Sequence, residues 1–334
     1  MCFTDKLEKE LMENYSFLQK FLHDFILSKK IINKSLFEIE KKLFLKNQNV
    51  KDESHIFISG LPRSGTTSLL NFIYLSNEFG SLKYKNLPFV FAPNFSKLFN
   101  KKNIVKKERA HKDGILYDID SPEAFDEIFF SYNNEFIKNE FLSYIQLILI
   151  SEKKKRYLSK NNSNYKRINL IRSLLPNAIF LIPIREPFQQ SYSLYRQHLL
   201  FNQLQNQNDF VRRYMNYLGH NEFGLNHRSW NKPIKFKNFK TVDYWLEQWF
   251  LFYKNIYDNI NLSDNCFVVV YEELTNTNYI KKLSGCLHLS KLDNLNFNYF
   301  RNSNKKINKI NYDENNYQRA LTLYNKFKEK LLNF

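Results

Sequence analysis

The chain has 334 residues, 43 % of them hydrophobic and 17 % aromatic, which suffices for a sizeable core and excludes an intrinsically disordered chain. Its 50 Lys and Arg against 33 Asp and Glu give +17, which points to an anionic ligand or partner unless it is a by-product of a composition rich in Lys, Asn, Ile and Phe. Three cysteines without a CxxC pair exclude a complete disulfide framework, and neither the charged start "MCFTDKLEKELMENYS" nor the short apolar run "FLSYIQLILI" suits a signal peptide or a membrane span, so a cytoplasmic protein is expected.

In chain order, Leu7, Leu11, Leu18, Leu22, Phe25 and Ile26, then Leu36, Ile39, Leu43 and Leu45, recur at helical spacing. They predict extra N-terminal helices (1–50) packed on a main domain (51–334). "HIFIS" reads as a short strand. "SPEAFDEIFF" reads as a helix, with Ser121 as cap, Pro122 in the first turn and acidic residues after it. A further helix is expected over residues 139–156. "NAIFLIPI" (177–184) is apolar without alternation, as befits a parallel strand covered on both faces. A helix over 187–200, a polar irregular region over 202–240, a helix at "YWLEQWFLFYKNIYDNI", a strand at "CFVVVYEEL" and a helix after Asp313 complete the chain. Strands alternating with helices, without an internal repeat or a Pro- or Gly-rich linker, predict a three-layer α/β/α fold around a central parallel sheet.

Between the first strand and its helix lies "GLPRSGTT", residues 60–67. Gly60 and Gly65 allow a tight turn whose N–H groups point inward, and the following helix adds its N-terminal N–H groups and positive dipole end. A nucleoside-triphosphate loop continues with a lysine for the β/γ-phosphates, but Thr66 stands there, and the cation is Arg63, inside the loop. Pro62, Arg63, Ser64, Gly65, Thr66 and Thr67 therefore suit an anion of the 5′-phosphate type, gripped by a guanidinium fork and hydroxyls. Downstream, "IPIREPFQQSYSLYRQH" puts Arg185 directly after a strand and Ser193 on the ensuing helix, at the strand end where open α/β sheets bind ligands. Taken alone, Arg185 is better read as the ion-pair partner of Glu186 at a helix start.

Together these two stretches resemble the sulfotransferase family that uses 3′-phosphoadenosine-5′-phosphosulfate. "PRSGTT" is most similar to the tyrosylprotein and bacterial branches, and "YLSKNNSNYKRINLIRSLLPNAIFLIPIREP" and "VVVYEELTNTNYIKKLSGCLHL" resemble later parts of the family's pattern. The resemblance covers about residues 54–289. It implies a P-loop NTPase-like sulfotransferase fold, with the "PRSGTT" loop on the 5′-phosphosulfate and Arg185 and Ser193 on the 3′-phosphate. It further implies that Lys160, in "SKNN", stabilises the transferring group, unless it is one more surface lysine of "SEKKKRYLSK". Arg63 is the candidate for holding the 5′-phosphate and easing its departure, and no metal is expected because the leaving group is already a stable phosphate. The acceptor would be a hydroxyl, or alternatively an amine, of a carbohydrate, glycolipid or other small compound; oligomeric state stays open.

The acceptor's base is less legible. "ERAHKDGILYDIDSPEAFDE" offers His111 first, for its imidazole, and Glu123 second, beside Asp113, Asp120 and Glu127. The tyrosylprotein branch carries a glutamate shortly after its loop, where this chain has "LKYKNLPF" and no acid. His220 and His227 flank Glu222 in the irregular region, without the HExxH spacing of a metal site, and suit structural or acceptor-contacting roles. Two other readings compete. In a P-loop kinase, Glu272 and Glu273 would end a magnesium-binding strand, but Arg185 and Ser193 would have no task. A nucleic-acid-binding protein would use the positive charge and the aromatics, yet no recognition motif is present, and no nucleic-acid partner is expected.

Overall fold

The computed structural model describes residues 17–45, 50, 53–98, 107–108, 116–123, 125–260, 265–300 and 310–330. The main elements are, in order, α1 (Phe17–Leu27), α2 (Lys30–Phe44), β1 (Ile56–Ile58), α3 (Thr66–Leu75), β2 (Phe79–Gly80), α4 (Asn134–Glu152), β3 (Arg156–Lys160) and α5 (Ile168–Leu174). They continue with β4 (Ile179–Ile184), α6 (Pro187–Gln207), α7 (Asp209–Tyr217), α8 (Val242–Asn259), β5 (Cys266–Val270), α9 (Thr277–Cys286) and α10 (Glu314–Lys330). The chain forms two compact units: Met1–Lys51, Gly80–Tyr157 and His198–Arg228 in the first, Asp52–Phe79, Leu158–Gln197 and Ser229–Phe334 in the second.

The sheet has the order β2-β3-β1-β4-β5, with β1 parallel to β3 and β4, and β4 parallel to β5. Every residue of β4 is buried, which explains its unbroken apolar run. Phe57 of β1 and Phe180 of β4 stack with centroids 5.6 Å apart. Pro183 in β4 costs no ladder bond. The N–H of Ile179 donates to His55 O and the N–H of Ser59 to Leu181 O, both at 2.8 Å. Alternate residues of β4 thus face β1, and by residue 183 β1 has already turned into a loop, leaving that side without a strand partner. In the second unit the core gathers Ile56, Ile58, Leu69, Phe72, Ile73, Leu158, Leu181, Val269, Leu274 and Ile280 between the sheet and α3 and α9.

In the first unit α2 buries Phe37 among Phe91, Phe129 and Phe136, with ring centroids 5.7 to 6.5 Å away. The buried Glu40 accepts hydrogen bonds from Asn94 N (2.6 Å), Asn94 Nδ2 (2.8 Å) and Phe95 N (3.3 Å). Burial raises its pKa above the ordinary carboxylate value, against these hydrogen bonds and Lys97.

Several expectations need correction. α4 begins at Asn134, with Asn133 Oδ1 accepting the N–H of Phe136 (2.9 Å), and its C-cap Lys153 turns left-handed at φ 53. The helix expected over 139–156 stops at Glu152, and Arg156, expected at its end, instead opens the sheet strand β3. Among the described residues of "SPEAFDEIFF" only Glu127–Phe130 is helical; Pro122 forms an antiparallel bridge with Lys83, so tertiary pairing displaces the expected cap. The region 202–240 is less irregular than its composition suggests: α6 runs on to Gln207, and α7 follows with Asn208 capping Phe210 and Val211. No described helix is long and apolar enough to cross a membrane.

Candidate active site

The loop after β1 is held from three directions, all within the second unit. Ser59 donates its hydroxyl to Asn162 O (3.2 Å) and accepts the N–H of Tyr165 (2.8 Å), which ties the loop's first residue to the segment after β3. A Cβ on Gly60 would lie 2.8 Å from Pro183 O, so only glycine lets the backbone pass β4 there. Gln190 of α6 donates through Nε2 to Pro62 O (3.0 Å) and Leu61 O (3.4 Å), while its Oε1 accepts Trp249 Nε1–H (2.9 Å). Under the loop the fully buried Tyr253 donates its hydroxyl to Pro183 O (2.8 Å), and burial pushes that phenol well above its usual range. Ser64 donates its hydroxyl back to Leu61 O (2.8 Å), and Gly65 caps α3 at φ 89.

The loop's shape directs its cation. Arg63 is itself left-handed, at φ 70, a region that strains a residue with a side chain. Its Nε donates to Ser193 Oγ on α6 (2.9 Å), 130 residues further along the chain. Arg185, buried at the end of β4, donates through Nη1 to the carbonyl of Arg63 (3.4 Å) and lies over the ring of Tyr271 at 4.6 Å. The two anion-gripping stretches read from the sequence therefore meet in one cluster. Glu186 does not pair with Arg185 as a helix-start ion pair; its carboxylate accepts the N–H groups of Phe188 (3.1 Å) and Gln189 (2.7 Å) and caps α6. Lys160 is buried and ends β3 in register with Ile58, at the edge of the sheet from which the loop springs. Pro62, Arg63 and Thr67 are half-buried, and Ser64 and Thr66 are buried. Two guanidinium groups, the hydroxyls of Thr66, Thr67 and Ser193, and the first turn of α3 make a donor set suited to an anion.

Glu272, which a kinase would need for magnesium, is engaged otherwise. Its Oε1 accepts the N–H of Glu186 (2.9 Å) and its Oε2 accepts the hydroxyl of Tyr324 (2.7 Å). Among the described residues no group of three or more His, Cys, Asp and Glu is placed to hold a metal ion.

The candidate acceptor-side residues lie in the first unit. His111 and Asp113 fall outside the described residues. Glu123 precedes the short helix instead of sitting in its first turn, and its Oε2 accepts the hydroxyl of Tyr84 (3.0 Å). Asp120 pairs with Lys85 (2.6 Å), which lowers its pKa against the effect of burial. His227 donates Nδ1–H to Glu222 O (2.7 Å), and burial lowers its pKa below the ordinary imidazole value. His220 Nδ1 lies 3.5 Å from the Glu222 carboxylate, and His198 packs edge-on to His227 at 5.2 Å. Sequence reasoning missed Gln190 and Tyr271. Gln190 lies within the quoted "REPFQQS", but its partners, the loop carbonyls and Trp249, are far away in the sequence. Tyr271 directly follows an apolar strand, but only the paired register of β4 and β5 sets it beside Arg185.

A model described as the sulfotransferase family matches residues 55–244, more than half of the chain. Among solved structures, the sulfotransferase STF1 of Mycobacterium tuberculosis H37Rv aligns over 96 % of this chain and 87 % of its own, at 13 % identity and a TM-score of 0.49. The sulfotransferase STF9 of Mycobacterium avium aligns over 88 % and 81 %, at 13 % identity and 0.45. Both likenesses are too distant to bear on any residue. No curated protein matches. On the family match, the chain belongs to the sulfotransferase family.

Proposed function

We propose that this protein moves a sulfuryl group from 3′-phosphoadenosine-5′-phosphosulfate to a hydroxyl acceptor, a carbohydrate, glycolipid or other small compound. The observation that carries the reading is the 2.9 Å hydrogen bond from Arg63 to Ser193, which joins the 5′-type loop to the stretch assigned to the 3′-phosphate. A ligand with two anionic ends suits such a cluster better than a triphosphate. The loop has Thr66 in place of the triphosphate-binding lysine, and both oxygens of Glu272 already accept hydrogen bonds.

The donor supplies a sulfuryl group on a phosphate that leaves readily. In this reading the loop's N–H groups and hydroxyls bind the 5′ end, and Arg185 and Ser193 bind the 3′-phosphate. Arg63, with Lys160 at the end of β3, neutralises charge where the bond to sulfur breaks, so that in-line geometry and preorganised donors do the work. His111, or Glu123 in its place, takes the acceptor proton.

Thermal unfolding with adenosine 3′,5′-bisphosphate, with ATP and magnesium, and in buffer tests this. At about a hundred times its dissociation constant the bisphosphate should stabilise the fold by about 2.7 kcal/mol. Arg185→Ala should weaken it by about ten- to a hundredfold, the worth of a hydrogen bond to a charged group. Stabilisation by ATP and magnesium alone would sink the sulfotransferase donor reading in favour of a kinase.

A further inference from the structure

β4 and β5 run in parallel register up to the pair Ile184 and Val270. One residue beyond that pair, Arg185 and Tyr271 lie side by side, and the guanidinium carbon sits 4.6 Å from the centre of the tyrosine ring. The next residue along repeats the alignment, where Glu272 Oε1 accepts the N–H of Glu186 (2.9 Å). The same ring also touches the anion loop: a Cβ on Gly65 would lie 2.6 Å from Cδ2 and 3.0 Å from Cε2 of Tyr271. Tyr271 thus packs against the N-cap of α3 and lies under the arginine of the second anion stretch at once.

A guanidinium laid on an aromatic face keeps its N–H donors in the plane of the fork, directed away from the ring. The ring therefore limits the orientations of the fork without competing for its hydrogen bonds. We propose that Tyr271 is a positioning residue that aims Arg185 at the 3′-phosphate, and so sets the preference for a 3′-phosphorylated donor over its 3′-hydroxyl counterpart. This rests on the donor reading above.

Isothermal titration with adenosine 3′,5′-bisphosphate and with adenosine 5′-monophosphate separates the two ideas. Wild type should prefer the bisphosphate; equal affinity there would overturn the donor reading, and this proposal with it, before any variant is made. Tyr271→Leu fills the space beside Gly65 but offers no π face, and Tyr271→Met serves if the leucine variant fails to fold. Either should reduce the preference by about five- to thirtyfold, with monophosphate affinity changed by less than about twofold. Tyr271→Phe should restore the preference, and Tyr271→Leu should have no further effect in an Arg185→Ala background. A leucine or methionine variant that keeps the preference, or that weakens both nucleotides equally, would show that the ring merely fills space.

Discussion

Arg63 occupies a left-handed position, φ 70, that glycine would fill without strain. The side chain held there reaches Ser193, so the strained turn and the cluster's geometry are one feature. The expectation of an anion loop at "PRSGTT" could be made from sequence because glycine placement and a missing lysine are local signals. That Arg63 reaches toward the second stretch was not legible, because neither stretch carries information about the other's position. Among the histidines, His227 makes a claim that can be checked. Burial lowers its folded pKa, so between that value and the unfolded value of 6.5 the unfolded chain binds more protons. Its contribution to stability is full above pH 6.5 and is lost as pH falls through the folded pKa. Melting temperature should therefore drop on acidification from neutral pH, and His227→Gln should flatten that slope; an unchanged slope would show that other groups govern it.

At the scale of elements, the long apolar strand β4 and the helices α8 and α10 were readable from pattern, while β2 and β3 were not. β3, "RYLSK", follows a run of lysines and carries polar residues, yet four of its five residues are buried, because pairing with β1 supplies what its composition lacks. The segment 231–240 is polar and reads as loose, but the fully buried Glu247 of α8 accepts the N–H groups of Ile234 (3.0 Å), Lys235 (3.0 Å) and Phe236 (3.2 Å). Gln248 completes the hold, exchanging hydrogen bonds with Asn231 N (3.1 Å) and O (2.8 Å). Glu247→Gln should cost about 2–3 kcal/mol in urea unfolding, since its amide offers one accepting oxygen to donors that face a carboxylate. Amide exchange at residues 234–236 should accelerate, and protection equal to wild type there would mean that the carboxylate is not what holds the segment.

For the molecule as a whole, the formal charge of +17 leads to a prediction about salt. If the charge favours an anionic donor, bisphosphate affinity should fall on the order of tenfold as salt rises from about 0.1 M to about 1 M, where the screening length shrinks from about 10 Å to about 3 Å. Calorimetry at both ionic strengths measures this, and a salt-independent affinity would mark the charge as compositional. The family and the parallel α/β architecture were determined by the sequence itself, because they are written in local spacing: apolar runs, two glycines, and residues at fixed offsets from strand ends. Only the tertiary structure decided that Arg63 meets Ser193, that Glu272 is committed to Glu186 and Tyr324, and that Tyr271 lies beneath Arg185. Those contacts depend on strand register and on the twist that carries one βα turn beside the next, and no short stretch of sequence records either.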